Sequence, residues 1–270
     1  MIRRGYWRMR TIAGIAASSE NEVMYRLLRR RNSSTTRVQN CFAFPWGKLE
    51  FTNIGNVCSQ YRDIFVRKEY AFESDVSSPM ILDCGGNIGM SAIWFKQRYP
   101  KSSVVVYEAD PLLSSLMAKN VSAAGCGDVL VHNKAVWTSD GMVGFDSTGN
   151  DSGHISTNGS IFIPSIDLAS HIPERVDLLK MDIEGAEFAV IDRLCGHGAI
   201  NRIRRMVVEF HVRRAEFGSF MSTMNNLLQS GMHLFAGRAA GSYALGKAAS
   251  LSSFDVVGDR ENLFTVYAWR

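Results

Sequence analysis

The feature that most constrains this chain is a repeated alternation between short, almost continuously apolar runs and longer segments with helical periodicity. Residues 80–82 (Met-Ile-Leu), 104–107 (Val-Val-Val-Tyr), 129–131 (Val-Leu-Val), 178–181 (Leu-Leu-Lys-Met) and 206–210 (Met-Val-Val-Glu-Phe) have the length and composition of strands. Residues 90–98, 112–124 and 187–194, which lie between them, read as helices. A strand that is apolar on both sides must be buried on both sides, which calls for a mostly parallel sheet with helices over each face. The expected architecture is a doubly wound α/β domain. After a helix over 220–230, strands at 232–235 and 263–269 arrive with no clear helix between them. They suit a hairpin at the sheet edge with one strand antiparallel to the rest. The intervening 237–258, rich in Gly, Ala and Ser, reads as an exposed loop or lid.

Upstream the texture differs. Residues 1–37 are polar and Arg-rich and end in Asn32-Ser33-Ser34-Thr35-Thr36, so a basic arm or helix is expected there, with the folded domain over 38–270. Arg3, Arg4, Arg8 and Arg10 precede a weakly apolar stretch over 11–17, as in a signal or transit peptide. A secretory core should be more apolar than Ile-Ala-Gly-Ile-Ala-Ala, so an exposed basic helix or flexible arm is the favoured reading. An organellar transit peptide is the other reading that the composition leaves open. Residues 42–53, broken by Pro45 and Gly47, read as a short hairpin, and 59–72 as an amphipathic helix.

The 270 residues, 46% of them hydrophobic, suffice for one large core. A formal net charge of +4 neither demands nucleic acid nor excludes an anionic surface as partner. The five cysteines are widely spaced, odd in number and without a C-x-x-C pair, which suits a reduced, cytoplasmic protein rather than a zinc or dithiol site. No apolar run approaches the ~20 residues that span a bilayer, so no transmembrane segment is expected.

Ligands of a doubly wound sheet bind beyond the carboxyl ends of its strands. The first strand runs into Asp83-Cys84-Gly85-Gly86-Asn87-Ile88-Gly89, where Gly85, Gly86 and Gly89 permit a tight turn and close approach of a ligand to backbone. A dinucleotide fingerprint would need glycine at position 84, which is Cys84, and Asp83 puts a carboxylate where a pyrophosphate would sit. A ligand with a positively charged amino-acid end and no phosphate fits better. The second strand ends in Glu108-Ala109-Asp110-Pro111, which places Glu108 to accept both hydroxyls of a ribose. Asp110 before Pro111 reads as a helix cap. On the third strand, His132 reads as a half-buried strand residue, and Asn133 as either a turn former or a cofactor contact.

These segments, together with Asp63-Ile64-Phe65, Glu69-Tyr70, Tyr99-Pro100, Leu179-Lys180-Met181-Asp182-Ile183-Glu184-Gly185-Ala186-Glu187 and Val208-Glu209-Phe210-His211, resemble the FkbM family of methyltransferases. The similarity spans residues 60–235, the expected core of the domain. It departs from the family pattern at Cys84 and Ala109, neither of which removes a polar group. The resemblance implies a Rossmann-like methyltransferase fold with S-adenosylmethionine as cofactor. It also implies O-methylation of a hydroxyl on a sugar, glycan or polyketide-type natural product, and no nucleic-acid partner. The expected cofactor contacts are Asp83, Gly85, Gly86, Asn87, Gly89, Glu108, Ala109, Asn133 and Asp182.

The fourth strand delivers Asp182, then Glu184 and Glu187, and the fifth delivers Glu209 and His211 on one side of an extended chain. Glu187 reads as a solvated helix acid or the structural partner of an arginine. Methyl transfer to oxygen is an in-line displacement, to which positioning can contribute about 7–11 kcal/mol. A general base adds roughly two to four orders of magnitude. Asp182 and His211 are the expected bases, with Glu184 and Glu209 in support. No residue is assigned to a metal, although carboxylates and an imidazole could hold magnesium. A nicotinamide-dependent oxidoreductase and a non-catalytic S-adenosylmethionine-binding module are the competing readings. So many costly polar groups in one place argue against the second.

Overall fold

A computed structural model of the protein describes residues 19–33, 41–147, 153–238 and 262–270. The stretch over 1–18 and most of the expected lid, 239–258, lie outside the described residues. Helix α1 (Ser19–Ser33) precedes a hairpin of β1 (Cys41–Phe44) and β2 (Gly47–Glu50). Next comes α2 (Ile54–Tyr61), which runs on into a π-helical turn over Arg62–Val66. The expected alternation then appears as β3 (Met80–Cys84), α3 (Met90–Arg98), β4 (Ser103–Tyr107), α4 (Pro111–Ala123) and β5 (Leu130–His132). Four short strands follow: β6 (Ala135–Trp137), β7 (Gly141–Asp146), β8 (His154–Ile155) and β9 (Ile161–Asp167). The chain continues through α5 (Leu168–His171), β10 (Leu178–Met181), α6 (Glu187–His197), β11 (Arg205–Val212), α7 (Phe217–Gln229), β12 (His233–Arg238) and β13 (Asn262–Trp269).

The main sheet has the order β12-β13-β11-β10-β3-β4-β5. Strands β3, β4, β5, β10 and β11 are parallel, and β13 is antiparallel to both its neighbours, β11 and β12. This is the Rossmann-like methyltransferase arrangement that the resemblance implied, with β13, the strand next to the edge, reversed. The strand order turns back between β3 and β10, which opens a crevice at their carboxyl ends.

Strand alternation explains how both faces are filled. Leu82, Leu179, Val208 and Phe210 point to one side, where they pack with Val190 and Leu194 of α6 and Phe220 and Leu227 of α7. Ile81, Val104, Leu178 and Val207 point to the other, against Val57, Ile93 and Met117 from α2, α3 and α4. Each fully buried aliphatic side chain contributes about 1.5–3 kcal/mol relative to exposure. Asp110 caps α4 as expected: its Oδ1 accepts from the Leu112 N–H at 2.8 Å, and Pro111 fills the first helical position.

The helix read over 59–72 instead spans Ile54–Tyr61 and the turn to Val66, and two further features differ from the sequence reading. Strands β6 to β9 form a separate sheet in the order β6-β9-β7-β8, which the sequence reading did not foresee. Gly144 interrupts β7, and Pro164 interrupts β9 one residue before its pairing with β6 begins; both residues count against a strand when read in sequence. The other difference is that α1 is no free arm. Val23 and Leu27, four residues apart on one helical face, are buried in the same core as Val57 and Phe51, while Arg26 and Arg29 stay exposed. Ser19–Ser33, helical as one of the two expected forms, thus packs on the domain expected to begin at residue 38. No helix among the described residues is long and apolar enough to cross a membrane.

If α1 belongs to the core, Leu27→Ala should lower unfolding stability by about 2–5 kcal/mol in urea titration. An arm outside the domain would leave the midpoint unchanged.

Candidate active site

The crevice holds a cavity of about 370 Å³, bounded by the β3 loop, the ends of β4, β10 and β11, the small sheet and α2. Beneath it lies a buried ion pair. Lys180 of β10 stands in register with Asp83 of β3, and its Nζ lies 3.2 Å from Asp83 Oδ1, with both side chains almost wholly buried. Ser91 donates to Asp83 Oδ2, and Lys180 also donates to the carbonyl of Gly85. Burial alone would lower the Lys180 pKa, but the charges of Asp83 and Asp182 outweigh it and hold the ammonium protonated. Asp83, expected to face the ligand, therefore lies behind the cavity wall, and Lys180 is the residue that comes through to it. A lysine inside an otherwise apolar strand was the signal for this, because a buried charge requires a partner.

The glycine loop follows from this anchor. Gly85 has φ +87°, and a Cβ there would stand 1.7 Å from the carbonyl oxygen of Asp182. Asn87 and Gly89 also take left-handed φ values of 51° and 91°. The loop's N–H groups are all used within the protein. Gly85 and Gly86 donate to Tyr107 O at 2.8 and 3.2 Å, and Gly89 donates to Gly86 O at 2.9 Å. Ile88 donates to the Asn87 side chain at 2.9 Å, and Asn87 donates to Glu108 Oε2 at 2.7 Å. No N–H of this loop is left to cradle a phosphate.

Glu108 ends β4, buried but lining the cavity. Its other oxygen, Oε1, accepts from the Asp110 N–H at 2.9 Å, so each oxygen keeps a further lone pair for a ligand hydroxyl. Burial pushes its carboxyl up to about 7, partly offset by the Asp110 and Asn87 N–H groups. Asn133 donates to the carbonyls of Glu108 and Ala109 at 2.8 and 3.0 Å, and so supports the turn rather than lining the cavity. His132 stacks on Tyr107 with ring centroids 5.2 Å apart. Ala135, Val136, Phe145 and Ile155 of the small sheet add an apolar wall that the sequence reading did not foresee.

At the other end of the cavity stand Asp182, Glu184, Glu209 and His211, brought together as expected. His211 is held from both sides: Nδ1 lies 3.2 Å from Glu187 Oε1, and Nε2 lies 3.1 Å from Glu184 Oε2. Burial disfavours its charge, but the Glu187 hydrogen bond and the charges of Glu187, Glu184 and Asp182 raise it to about 10. Burial and the Asp182 charge push Glu209 up to about 7. Neither Asp182 nor Glu209 has a hydrogen bond or ion pair from its carboxylate among the described residues.

Glu187 corrects the sequence reading most sharply. It is fully buried rather than solvated, and among the described residues it pairs with His211 and not with an arginine. Its carboxylate accepts from the Ile183 N–H at 3.0 Å and from the Gly185 N–H at 3.0 Å, closing the turn from β10 into α6. That turn carries Glu184 at φ 56° and Gly185 at φ 101°.

The comparisons with known proteins give the family. A methyltransferase FkbM domain matches residues 83–235, more than half of the chain, and the chain belongs to that family. Methyltransferase 1 of Beauveria bassiana (strain ARSEF 2860) is 26% identical over 218 residues, 70% of this chain and 83% of that protein. Methyltransferase sdnD of Sordaria araneosa is 24% identical over 194 residues, 53% of this chain and 72% of that protein. The crystal structure of a SAM-dependent methyltransferase from Agrobacterium tumefaciens shares the fold, with a TM-score of 0.51 at 10% identity over 88% of this chain and 72% of that one. The protein is a methyltransferase, and its family implies S-adenosylmethionine as the methyl donor.

Breaking the buried pair should be costly. Asp83→Asn should destabilise the protein by about 3–5 kcal/mol, because it strands the Lys180 charge. In urea titrations the double substitution Asp83→Leu with Lys180→Met should cost less than the two single changes added together.

Proposed function

We propose that this methyltransferase transfers a methyl group to a hydroxyl of a sugar, glycan or polyketide-type small molecule, with S-adenosylmethionine as donor. The observation that carries the donor half is the loop over 85–89. Its N–H groups are satisfied internally while Glu108 presents a fixed carboxylate, which suits a ribose and an amino-acid end but not a pyrophosphate. The donor, when bound, supplies an electrophilic methyl group on a positively charged sulfur.

The residues that would hold it are Glu108 for the ribose hydroxyls, the backbone at Gly85 and Gly86, and the apolar wall of Val136 and Phe145 for the base. Asp182 and Glu209 supply the chemistry at the other end. They follow the register pair Met181 and Val208 on adjacent parallel strands, so they stand side by side over the crevice, and neither carboxylate has a hydrogen bond or ion pair among the described residues. Carboxylates placed in this way can orient an acceptor hydroxyl and take up its proton as the oxygen attacks. His211, with both ring nitrogens engaged by carboxylates, positions Glu184 rather than serving as the base. Glu69, Asp182, Glu184 and Glu209 also make this end acidic, which disfavours a polyphosphate acceptor such as nucleic acid and favours an uncharged polyol.

Calorimetry should show binding of S-adenosylmethionine or its demethylated product and none of NADH. Glu108→Ala should weaken that binding by about 1–3 kcal/mol. Tight NADH binding in its place would sink the donor assignment.

With labelled donor and a panel of sugars and hydroxylated natural products, mass spectrometry should find an O-methyl ether. Asp182→Asn should lower kcat by about 10²-fold or more at saturating acceptor. Label on nitrogen, or an unchanged kcat, would overturn the acceptor half.

A further inference from the structure

The turn from β10 into α6 gathers more negative charge than the proposed reaction uses. Asp182, Glu184 and His211 each offer one ligand atom, and these atoms all lie within 4.8 Å of one another. They come from two elements, Asp182 and Glu184 from the end of β10 and His211 from β11, so the cluster is a product of the sheet register and not of one acidic run.

Two further observations give the cluster the form of a cation site. The first is the support of the imidazole. Metal-binding histidines characteristically donate the second ring N–H to a carboxylate, which fixes the ring and aims the other nitrogen. Glu187 does this at Nδ1, from a fully buried position, and is itself anchored by the N–H groups of Ile183 and Gly185. His211 Nε2 is thereby aimed at the cavity beside Glu184 and Asp182. The second is spacing. Two donors at right angles around a six-coordinate ion about 2.2 Å away lie about 3.1 Å apart. Nε2 and Glu184 Oε2 are 3.1 Å apart. A hydrogen bond has the same length, so the experiment must separate a cation from a proton.

We infer that Asp182, Glu184 and His211 bind a divalent cation with mixed oxygen and nitrogen preference, of the Mn²⁺ type, with Glu187 as the residue that positions the imidazole. Two carboxylates and one imidazole form a mixed donor set, and three protein donors leave positions of a six-coordinate shell open to water or to a hydroxyl. The cation replaces the proton between Nε2 and Glu184 Oε2, which is released to solvent. Glu209, outside the donor set, remains beside it. In the methyl-transfer reading the ion would draw an acceptor hydroxyl into place and make its proton easier to remove. That role rests on the proposed function, whereas cation binding does not.

The test uses the whole chain, stripped with chelator and titrated with Mn²⁺ alone, with free ion followed by electron paramagnetic resonance. One saturable site per chain is expected. Glu184→Gln and His211→Asn should each weaken it by at least 10-fold, and Glu187→Gln by about 10- to 100-fold as an outer-shell change. Glu108→Ala, at the other end of the cavity, should leave Mn²⁺ affinity unaltered. A wild-type circular dichroism spectrum and a cooperative urea transition check that each variant is folded, and Glu184→Gln, at a partly exposed position, decides the matter if His211→Asn does not fold. No saturable uptake, or uptake unaffected by Glu184→Gln, overturns the inference. Because neither donor nor acceptor is present, a protein that takes up Mn²⁺ but not S-adenosylmethionine would sink the methyl-transfer reading and leave the cation site standing.

Discussion

The site depends on one buried ion pair, Lys180 with Asp83, at the point where the strand order of the sheet turns back. A lone charge there would be intolerable, and the pair is stable only because β3 and β10 lie in fixed register. Lys180 also donates to Gly85, so the contact that neutralises Asp83 sets the start of the glycine loop. The loop in turn has no room for a side chain at Gly85 against the carbonyl of Asp182. The donor end and the acid end of the cavity are thus parts of one mechanical unit. A shift of β10 relative to β3 by a single residue would break both.

Much of this was legible in the sequence. Runs buried on both faces announced the parallel sheet, and Asp110 before Pro111 announced the start of α4, because these patterns follow from local chemistry. Glu108 and the cluster of Asp182, Glu184, Glu209 and His211 could be placed because strand ends in such a sheet converge. Other features depended on contacts that only the folded chain makes. The burial of Glu187 is set by a turn that folds back over it and by a histidine 24 residues away. Nothing local distinguishes such a glutamate from a solvated one. The small sheet was hidden because Gly144 and Pro164 weaken its strands when read alone, and α1 because its arginines are as many as the apolar positions that dock it.

The glycine loop shows how similar sequences can serve unlike ligands. Loops at this place in a doubly wound sheet commonly present N–H groups to an anion. Here the Tyr107 carbonyl and the Glu108 carboxylate consume those donors, and the surface left to a ligand is an acceptor. The polarity of the pocket is therefore decided by the neighbouring strand, β4, rather than by the glycines.

The reversed strand β13 has a consequence for how the chain is made. It pairs with β11 and with β12, so it fills an interior place in the sheet although it comes last in sequence. Between the end of β11 and the start of β13 the ribosome must add roughly fifty residues. At ~5–20 residues per second, β11 waits for several seconds with an open edge beside the cavity. An unpaired edge is a template for association with other chains, so the nascent protein passes its most aggregation-prone moment just before its sheet closes.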